Sequence, residues 1–321
     1  MMQGTTRHLL LTLAAGAAAA LLFAAPFALG LGAVAPMTLT GIPLMAAGLG
    51  IGVLAAIGAG LTGLVLIFGL AVLFALSSEP IVLFAGLFAI PVVFAVQQLQ
   101  RSRTSSLGYI EWHPPLNVMS WLLAGALLVM IVFAVMVIRG NTDLPFLTRS
   151  FLQPVLTGLF PELGFHRTRS LVDTMTPVFP GAALAAWMLM LSAATAGALA
   201  LLRFWGALQR PAPRMEELQV PLWIPLAFGL AVAFVLLGDF NLAYLGQNAA
   251  IALLVPMFLV GAGTFHAIAR QTPIFYVVIA VFYGFMIVFP PLIALVALIG
   301  VADQTLDLRR RFGLVPTGQE V

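Results

Sequence analysis

Runs of about twenty apolar residues recur along this chain, and nothing constrains its fold more. The first, "LLLTLAAGAAAALLFAAPFALGL" at residues 9–31, carries no charge. A helix needs about 20 apolar residues to cross the hydrocarbon core of a bilayer, with a range of about 17–25. Composition agrees: 62% of the residues are hydrophobic and 8% charged, with a mean hydropathy of +1.11. Soluble domains run at about 45–50% apolar and about 25% charged. A water-soluble fold could not cover so much apolar surface, so the solvent is lipid and the bilayer is the first partner. The fold expected is all-α, a polytopic transmembrane helix bundle forming one integral membrane domain over residues 1–321.

Arg7, the apolar run and Ala33-Val34-Ala35 imitate a signal peptide. A cleavable apolar region spans about 7–15 residues, so this longer run reads as an uncleaved first crossing. The stretch Leu39 to Leu76 is too long for one crossing, and Gly58 to Gly60 offers a tight turn between helices at 39–57 and 61–76. Ser77-Ser78-Glu79-Pro80 breaks the chain before a crossing at 81–98. A polar loop, "RSRTSSLGYIEWHPPLN", leads to 118–138. Crossings at 180–202, 221–237 and 246–268 follow, then an apolar block at 274–302. That block is one helix kinked at Pro290-Pro291 or a hairpin turning there. Between 139 and 177 lies a long polar segment whose amphipathic part, Phe146–Phe160, suggests an interfacial helix lying on the membrane. Pro154 argues against its being one straight helix. The count is about eight to ten crossings, some short or re-entrant.

All fourteen basic residues are arginine, and the formal charge is +3. With the abundance of Ala and Gly, this suggests a GC-rich bacterial coding bias and a bacterial cytoplasmic (inner) membrane. Cytoplasmic loops are enriched in basic residues. With the N-terminus inside, Arg7, Arg101, Arg103, Arg203, Arg210, Arg214 and Arg270 fall inside, and the 139–177 segment falls outside. A hairpin at Pro290-Pro291 then returns Arg309, Arg310 and Arg311 to the inside, as a short cytoplasmic tail over 303–321. Both termini are expected to be cytoplasmic.

Several motifs lose their chemistry in this setting. "GAGLTG" at 58–63 spells a dinucleotide fingerprint but lacks the strand before it; glycine-mediated helix packing and turning is the better reading. Gly48, Gly52, Ala56 and Gly60 recur every fourth residue, a spacing at which small side chains let helices approach closely. Their partner is another helix of this chain or a second subunit. The absence of cysteine excludes disulfides and thiolate sites. His8, His113, His166 and His266 lack metal-ligand spacing. No serine sits in a G-x-S-x-G elbow, and adjacent Glu216 and Glu217 read as a solvated pair. No metal, cofactor, nucleic-acid partner or enzymatic activity is therefore expected.

Two constellations remain. Asp239 and Asn241 lie just before a crossing and Gln247 and Asn248 at its start; the amides either cap the helix or, with Asp239, bind a polar solute, which is itself unspecified. At the other end of that crossing His266 and Arg270 lie one turn apart. They either snorkel to headgroups or meet a partner or anionic ligand. The closing stretch "LIGVADQTLDLRRRF" (298–312) adds Asp303, Asp307, Arg309, Arg310 and Arg311. If helical, it places Asp303 and Asp307 on one face and Asp307 one turn from Arg310 and Arg311. It serves as a membrane anchor or as a docking site for a cytoplasmic or membrane protein partner.

The stretches "VPLWIPLAFG" (220–229) and "GAGTFHAIAR" (261–270), Asn248, and this closing stretch together resemble the YybS-like family of multi-pass bacterial membrane proteins, a domain of unknown function. The resemblance implies a distant similarity in fold to energy-coupling-factor S components and MreD-type shape proteins, and it carries over no catalytic residue. Two functions stay open. One is a scaffold or assembly subunit recruiting a partner at the cytoplasmic face. The other is a solute-binding or transport subunit similar to an energy-coupling-factor S component. No Asp, Glu or Arg falls at a membrane midplane, where pumps and ion exchangers place them, which favours the scaffold or a passive binding subunit.

Overall fold

The computed structural model describes residues 2–29, 34–74, 77–104, 108, 110–211, 213–289 and 291–313. Ala33 of the nominal cleavage site, Pro290 and the tail from Leu314 to Val321 lie outside the described residues. The protein is an all-α polytopic helix bundle, 83% helical. Six helices are long and apolar enough to cross a membrane, and four shorter apolar ones accompany them. It is a multi-pass membrane protein in contact with lipid.

In chain order the helices are α1 (Met2–Leu29), α2 (Val34–Thr38), α3 (Gly41–Ile51), α4 (Val53–Leu73), α5 (Glu79–Phe84), α6 (Ile90–Leu99), α7 (Pro115–Arg139), α8 (Leu144–Leu159) and α9 (Gly164–Met175). Then come α10 (Phe179–Phe204), α11 (Trp223–Leu237), α12 (Phe240–Ala269), α13 (Phe275–Val288), α14 (Pro291–Leu306) and α15 (Leu308–Arg311). A π-turn, Ala85–Ala89, joins α5 to α6. Between α6 and α7 the polar loop forms a short antiparallel hairpin, β1 (Ser102–Thr104) with β2 (Ile110–Trp112), in the register Ser102 opposite Trp112. The chain divides into two compact units, Met1–Val118 with Trp187–Ala212, and Met119–Ala186 with Pro213–Val321.

In the first unit, α1, α3, α4 and α6 pack through small residues. Gly16 of α1 abuts the Ala59 carbonyl and Thr62 of α4, and Gly58 and Gly63 of α4 face Thr12 and Phe84. "GAGLTG" therefore lies inside a helix and packs it. The turn expected at Gly58–Gly60 is instead at Gly52, between α3 and α4, where φ is +142°. Only glycine holds that conformation without strain. Gly48, Gly52, Ala56 and Gly60 consequently do not share one continuous helix. A methyl on Gly52 would touch nothing, whereas Gly48 faces Val96 and Gly60 faces Ala89, so the packing partner of these two is internal. The break leaves carbonyls of α3 unpaired, and side-chain amides take them: Gln100 Nε2 reaches the Gly48 oxygen and Gln209 Nε2 the Gly50 oxygen, each at 2.7 Å. Pro91 likewise removes the N–H that would serve the Leu87 carbonyl. Trp187 Nε1 donates to it instead, at 2.9 Å.

In the second unit α12 is the hub and the most buried of the six long helices. Gly246 lets α11 approach it at Ala231 and Phe234, and Gly261 meets Val296 where α14 crosses, with Gly300 of α14 against Met257. Ala262, Met286 and Val296 bring α12, α13 and α14 into one apolar cluster. The last apolar block is thus two helices, broken at Phe289. At 14 and 16 residues they span about 21–24 Å at 1.5 Å per residue, short of the roughly 30 Å hydrocarbon core. The 139–177 segment folds as two amphipathic helices, α8 and α9, closed over Leu152, Leu156 and Val172 and tied by Arg149–Asp173 at 2.7 Å. Pro154 does not interrupt α8. The carbonyl it leaves unpaired belongs to exposed Ser150, where solvent can satisfy it.

Candidate functional site

The closing stretch does not continue as a helix. Asp307 adopts φ +53°, ψ +45°, the left-handed region, and α14 ends there. Asp303 and Asp307 therefore do not lie on one helical face, and the expected pairing of Asp307 with Arg310 and Arg311 is absent among the described residues. The reversal instead folds Arg309 back onto Asp303. Asp303 Oδ1 accepts the Arg309 backbone N–H at 2.9 Å, and Oδ2 accepts Arg309 Nε at 2.7 Å. Both side chains are buried, at 8% and 3% exposure. The remaining guanidinium nitrogens donate to the carbonyls of Glu216 and Leu218, the latter at 2.8 Å. Gln304 grips the same strap from both sides, accepting from Val220 N at 3.3 Å and donating to its carbonyl at 2.9 Å.

The other half of this cluster sits at the end of α12. Arg270 Nε pairs with Glu216 Oε1 at 3.1 Å while its guanidinium lies 5.7 Å from the Phe275 ring centre. Glu216 Oε2 is buried without a partner among the described residues. His266 donates Nδ1–H to the Ala262 carbonyl at 2.8 Å, and its ring meets Phe275 and Tyr283 edge-on. Gly263 is where the helix passes the Met215 carbonyl and the Arg309 guanidinium; a side chain there would push the strap away. Of the seven candidates, Asp303, Arg309, Arg270 and His266 are drawn into internal contacts. Asp307, Arg310 and Arg311 stand exposed, next to exposed Leu306 and Phe312.

The candidate solute ligands are also largely engaged. Asp239 caps α12, accepting from Leu242 N at 2.8 Å. Asn241 Oδ1 accepts the first N–H of α8, from Leu144, at 3.0 Å, and its Nδ2 donates to Asp143 Oδ1 at 3.2 Å. Asn248 is buried and saturated: Oδ1 accepts from Gly181 N at 2.7 Å, and Nδ2 donates to the carbonyls of Pro177 at 3.0 Å and Tyr244 at 2.9 Å. The Tyr244 hydroxyl donates to the Thr176 carbonyl at 2.9 Å and lies 2.8 Å from the Thr148 hydroxyl. Together these side chains fix α8 and the start of α10 to the first turns of α12. The side chain of Gln247, half-buried, makes no hydrogen bond among the described residues.

One constellation had no sequence signal at all. In the first unit Arg210 is 8% exposed. Its Nη1 donates to the Leu99 carbonyl at 2.7 Å, at the C-terminus of α6, and its guanidinium carbon lies 5.5 Å from the Trp112 ring centre. Nε is buried without a partner among the described residues. His113 extends the hairpin by donating its backbone N–H to the Arg101 carbonyl at 3.0 Å. Burial, then the charges of Arg101 and Arg210, hold its imidazole pKa below the ordinary value. Only spatial assembly brings residues 99, 101, 112, 113 and 210 together, so no local pattern could have announced them.

Among the described residues no group of three or more His, Asp or Glu is placed to hold a metal ion. No family model, curated protein or solved structure matches the chain.

Proposed function

We propose that the protein is a multi-pass scaffold or assembly subunit of a bacterial cytoplasmic membrane, with both termini cytoplasmic, that presents its C-terminal end to an acidic protein partner. The observation that carries this reading is the Asp303–Arg309 clamp. It removes one carboxylate and one arginine from the surface and locks the turn rigidly to the 215–220 strap. What is left outside is Arg310 and Arg311, with the single carboxylate of Asp307 before them, flanked by Leu306 and Phe312, 47% and 72% exposed. Basic residues beside an aromatic anchor, held on a rigid base, have the character of a binding hot spot. The resemblance to the YybS-like family belongs to the same reading and rests partly on the same residues. A solute-binding role draws less support, because Asn241 and Asn248 spend their polar atoms on contacts within the protein and Asp239 caps α12 through Oδ1.

The test is purification in mild detergent with quantitative mass spectrometry, comparing wild type with an Arg310→Glu, Arg311→Glu, Phe312→Ala variant. Reversing exposed charge leaves the clamp intact, so membrane insertion and melting temperature should not change. A defined set of acidic co-purifying proteins should disappear. If wild type and variant retain the same proteins in the same amounts, the scaffold reading is wrong.

A further inference from the structure

Arg210 is a buried cation without a counter-ion among the described residues: the ion pairs of this structure use Arg103, Arg149, Arg214, Arg270 and Arg309, and none uses Arg210 or Arg101. Burying a charge is costly unless it is paired and hydrogen-bonded. The C-terminus of α6 offers about half a negative charge, against two full positive charges from Arg210 and Arg101. The one carboxylate of the hairpin, Glu111, is already held by Arg103 at 2.5 Å. Burial first, and then the charges of Arg101 and Arg210, hold the His113 pKa below its ordinary value.

We propose that Arg210 and Arg101, beside Trp112 and His113, form a binding site for a phosphate oxyanion. A guanidinium matches the geometry of phosphate and is less strongly hydrated than an ammonium, so it suits a half-dry site. Trp112 lies across the Arg210 guanidinium and keeps it facing one way, while Leu99 fixes one of its nitrogens. The surroundings are those of the headgroup layer: Phe204, the last residue of α10, and Trp205 after it are 84% and 64% exposed, shortly before Arg210. Such aromatics gather at membrane–water interfaces. Arg101 and Arg210 also both sit in loops that the arginine distribution assigns to the cytoplasmic side. The phosphate comes either from an anionic phospholipid headgroup or from a soluble molecule, and the chemistry of recognition is the same.

The experiment uses the full chain, purified and delipidated in detergent, with thermal unfolding followed as ligand is added. One arm adds phosphatidylglycerol to the micelles, a second adds phosphatidylcholine, and a third adds inorganic phosphate. Phosphatidylglycerol should raise the melting temperature more than phosphatidylcholine does. Arg210→Gln should weaken the apparent affinity about tenfold or more, the scale of one lost charge-assisted contact. Arg101→Gln should weaken it about fivefold, as for one basic residue at an anionic surface. Arg101 is exposed, so its replacement tests the site even if Arg210→Gln misfolds. An equal response to inorganic phosphate keeps the site and assigns it to a soluble ligand. A response of the same size in wild type and Arg101→Gln, or no response in any arm, overturns the proposal.

Discussion

Arg309 and Arg210 are buried almost equally, at 6% and 8% exposure, and they are opposite in how that burial is compensated. Arg309 has a carboxylate and two carbonyls around its guanidinium. Arg210 has one carbonyl, the face of a tryptophan and a nitrogen with no partner. The cause lies in local sequence. Asp303 is six residues before Arg309, and the left-handed turn at Asp307 delivers one to the other. Arg210 stands in "WGALQRPAPRM", which has no carboxylate. Burial alone therefore does not reveal what an arginine does; the completeness of its surroundings does. A saturated arginine holds the fold, and an unsaturated one waits for something.

The largest effect should come from breaking the complete site. Arg309→Met leaves Asp303 buried without its partner, which typically costs about 3–5 kcal/mol. The melting temperature in detergent should fall steeply, and the 215–220 strap should become protease-sensitive. The double variant Asp303→Leu, Arg309→Met removes both charges and should recover most of that loss, because buried ion pairs often exchange for apolar pairs at little net cost. A double variant as unstable as the single one would mean that the carbonyl contacts, and not the pair, dominate.

Asn248 extends the comparison to an uncharged side chain that is equally saturated. Asn248→Ala strands Gly181 N and the Pro177 carbonyl in a buried place, with an expected loss of about 1–3 kcal/mol. Arg210→Met should cost less than about 1.5 kcal/mol in lipid-free detergent, because losing the Leu99 contact is offset by no longer burying a lone charge. Unfolding scans on the three variants give the ranking Arg309→Met, then Asn248→Ala, then Arg210→Met. If Arg210→Met proved as damaging as Arg309→Met, the distinction between the two arginines would collapse.

The helical membrane class was legible because lipid leaves the backbone little choice and because "LLLTLAAGAAAALLFAAPFALGL" and its successors are long. The break at Ser77-Ser78-Glu79-Pro80 was legible from local chemistry, although α5 already begins at Glu79, whereas the capping expected of the neighbouring amides falls to Asp239. The break between α3 and α4 was misplaced because a glycine that packs and a glycine that turns look alike in one dimension. Gly58 and Gly60 pack, and only the φ of Gly52 singles it out. In the candidate site, helical spacing suggested that Asp303 and Asp307 act together. A single left-handed residue defeated it, and Asp is among the few residue types that adopt that conformation. Asn248, expected to open a crossing, lies inside α12, which begins at Phe240. Its partners lie 67 and 71 residues away, beyond any periodicity.

The smallest effect should be the most selective. His113 has a pKa held below its ordinary value near 6.5, by burial first and by Arg101 and Arg210 next. The folded protein thus binds a proton there less readily than the unfolded chain does. Stability should be unaffected by this group at higher pH and should decline as pH falls through about 6.5 towards the folded-state value, levelling off below it. In His113→Asn that part of the decline should vanish, so melting temperatures of variant and wild type should converge above neutrality and separate in mild acid. An oxyanion beside Arg210 would cancel part of the positive potential and let the imidazole charge more easily. Adding the ligand that responds in the thermal assay should therefore shrink the acid-side gap between wild type and His113→Asn. A gap that phosphate and anionic lipid both leave unchanged would mean that burial alone depresses the histidine, and Arg210 would then be no more in need of a partner than Arg309.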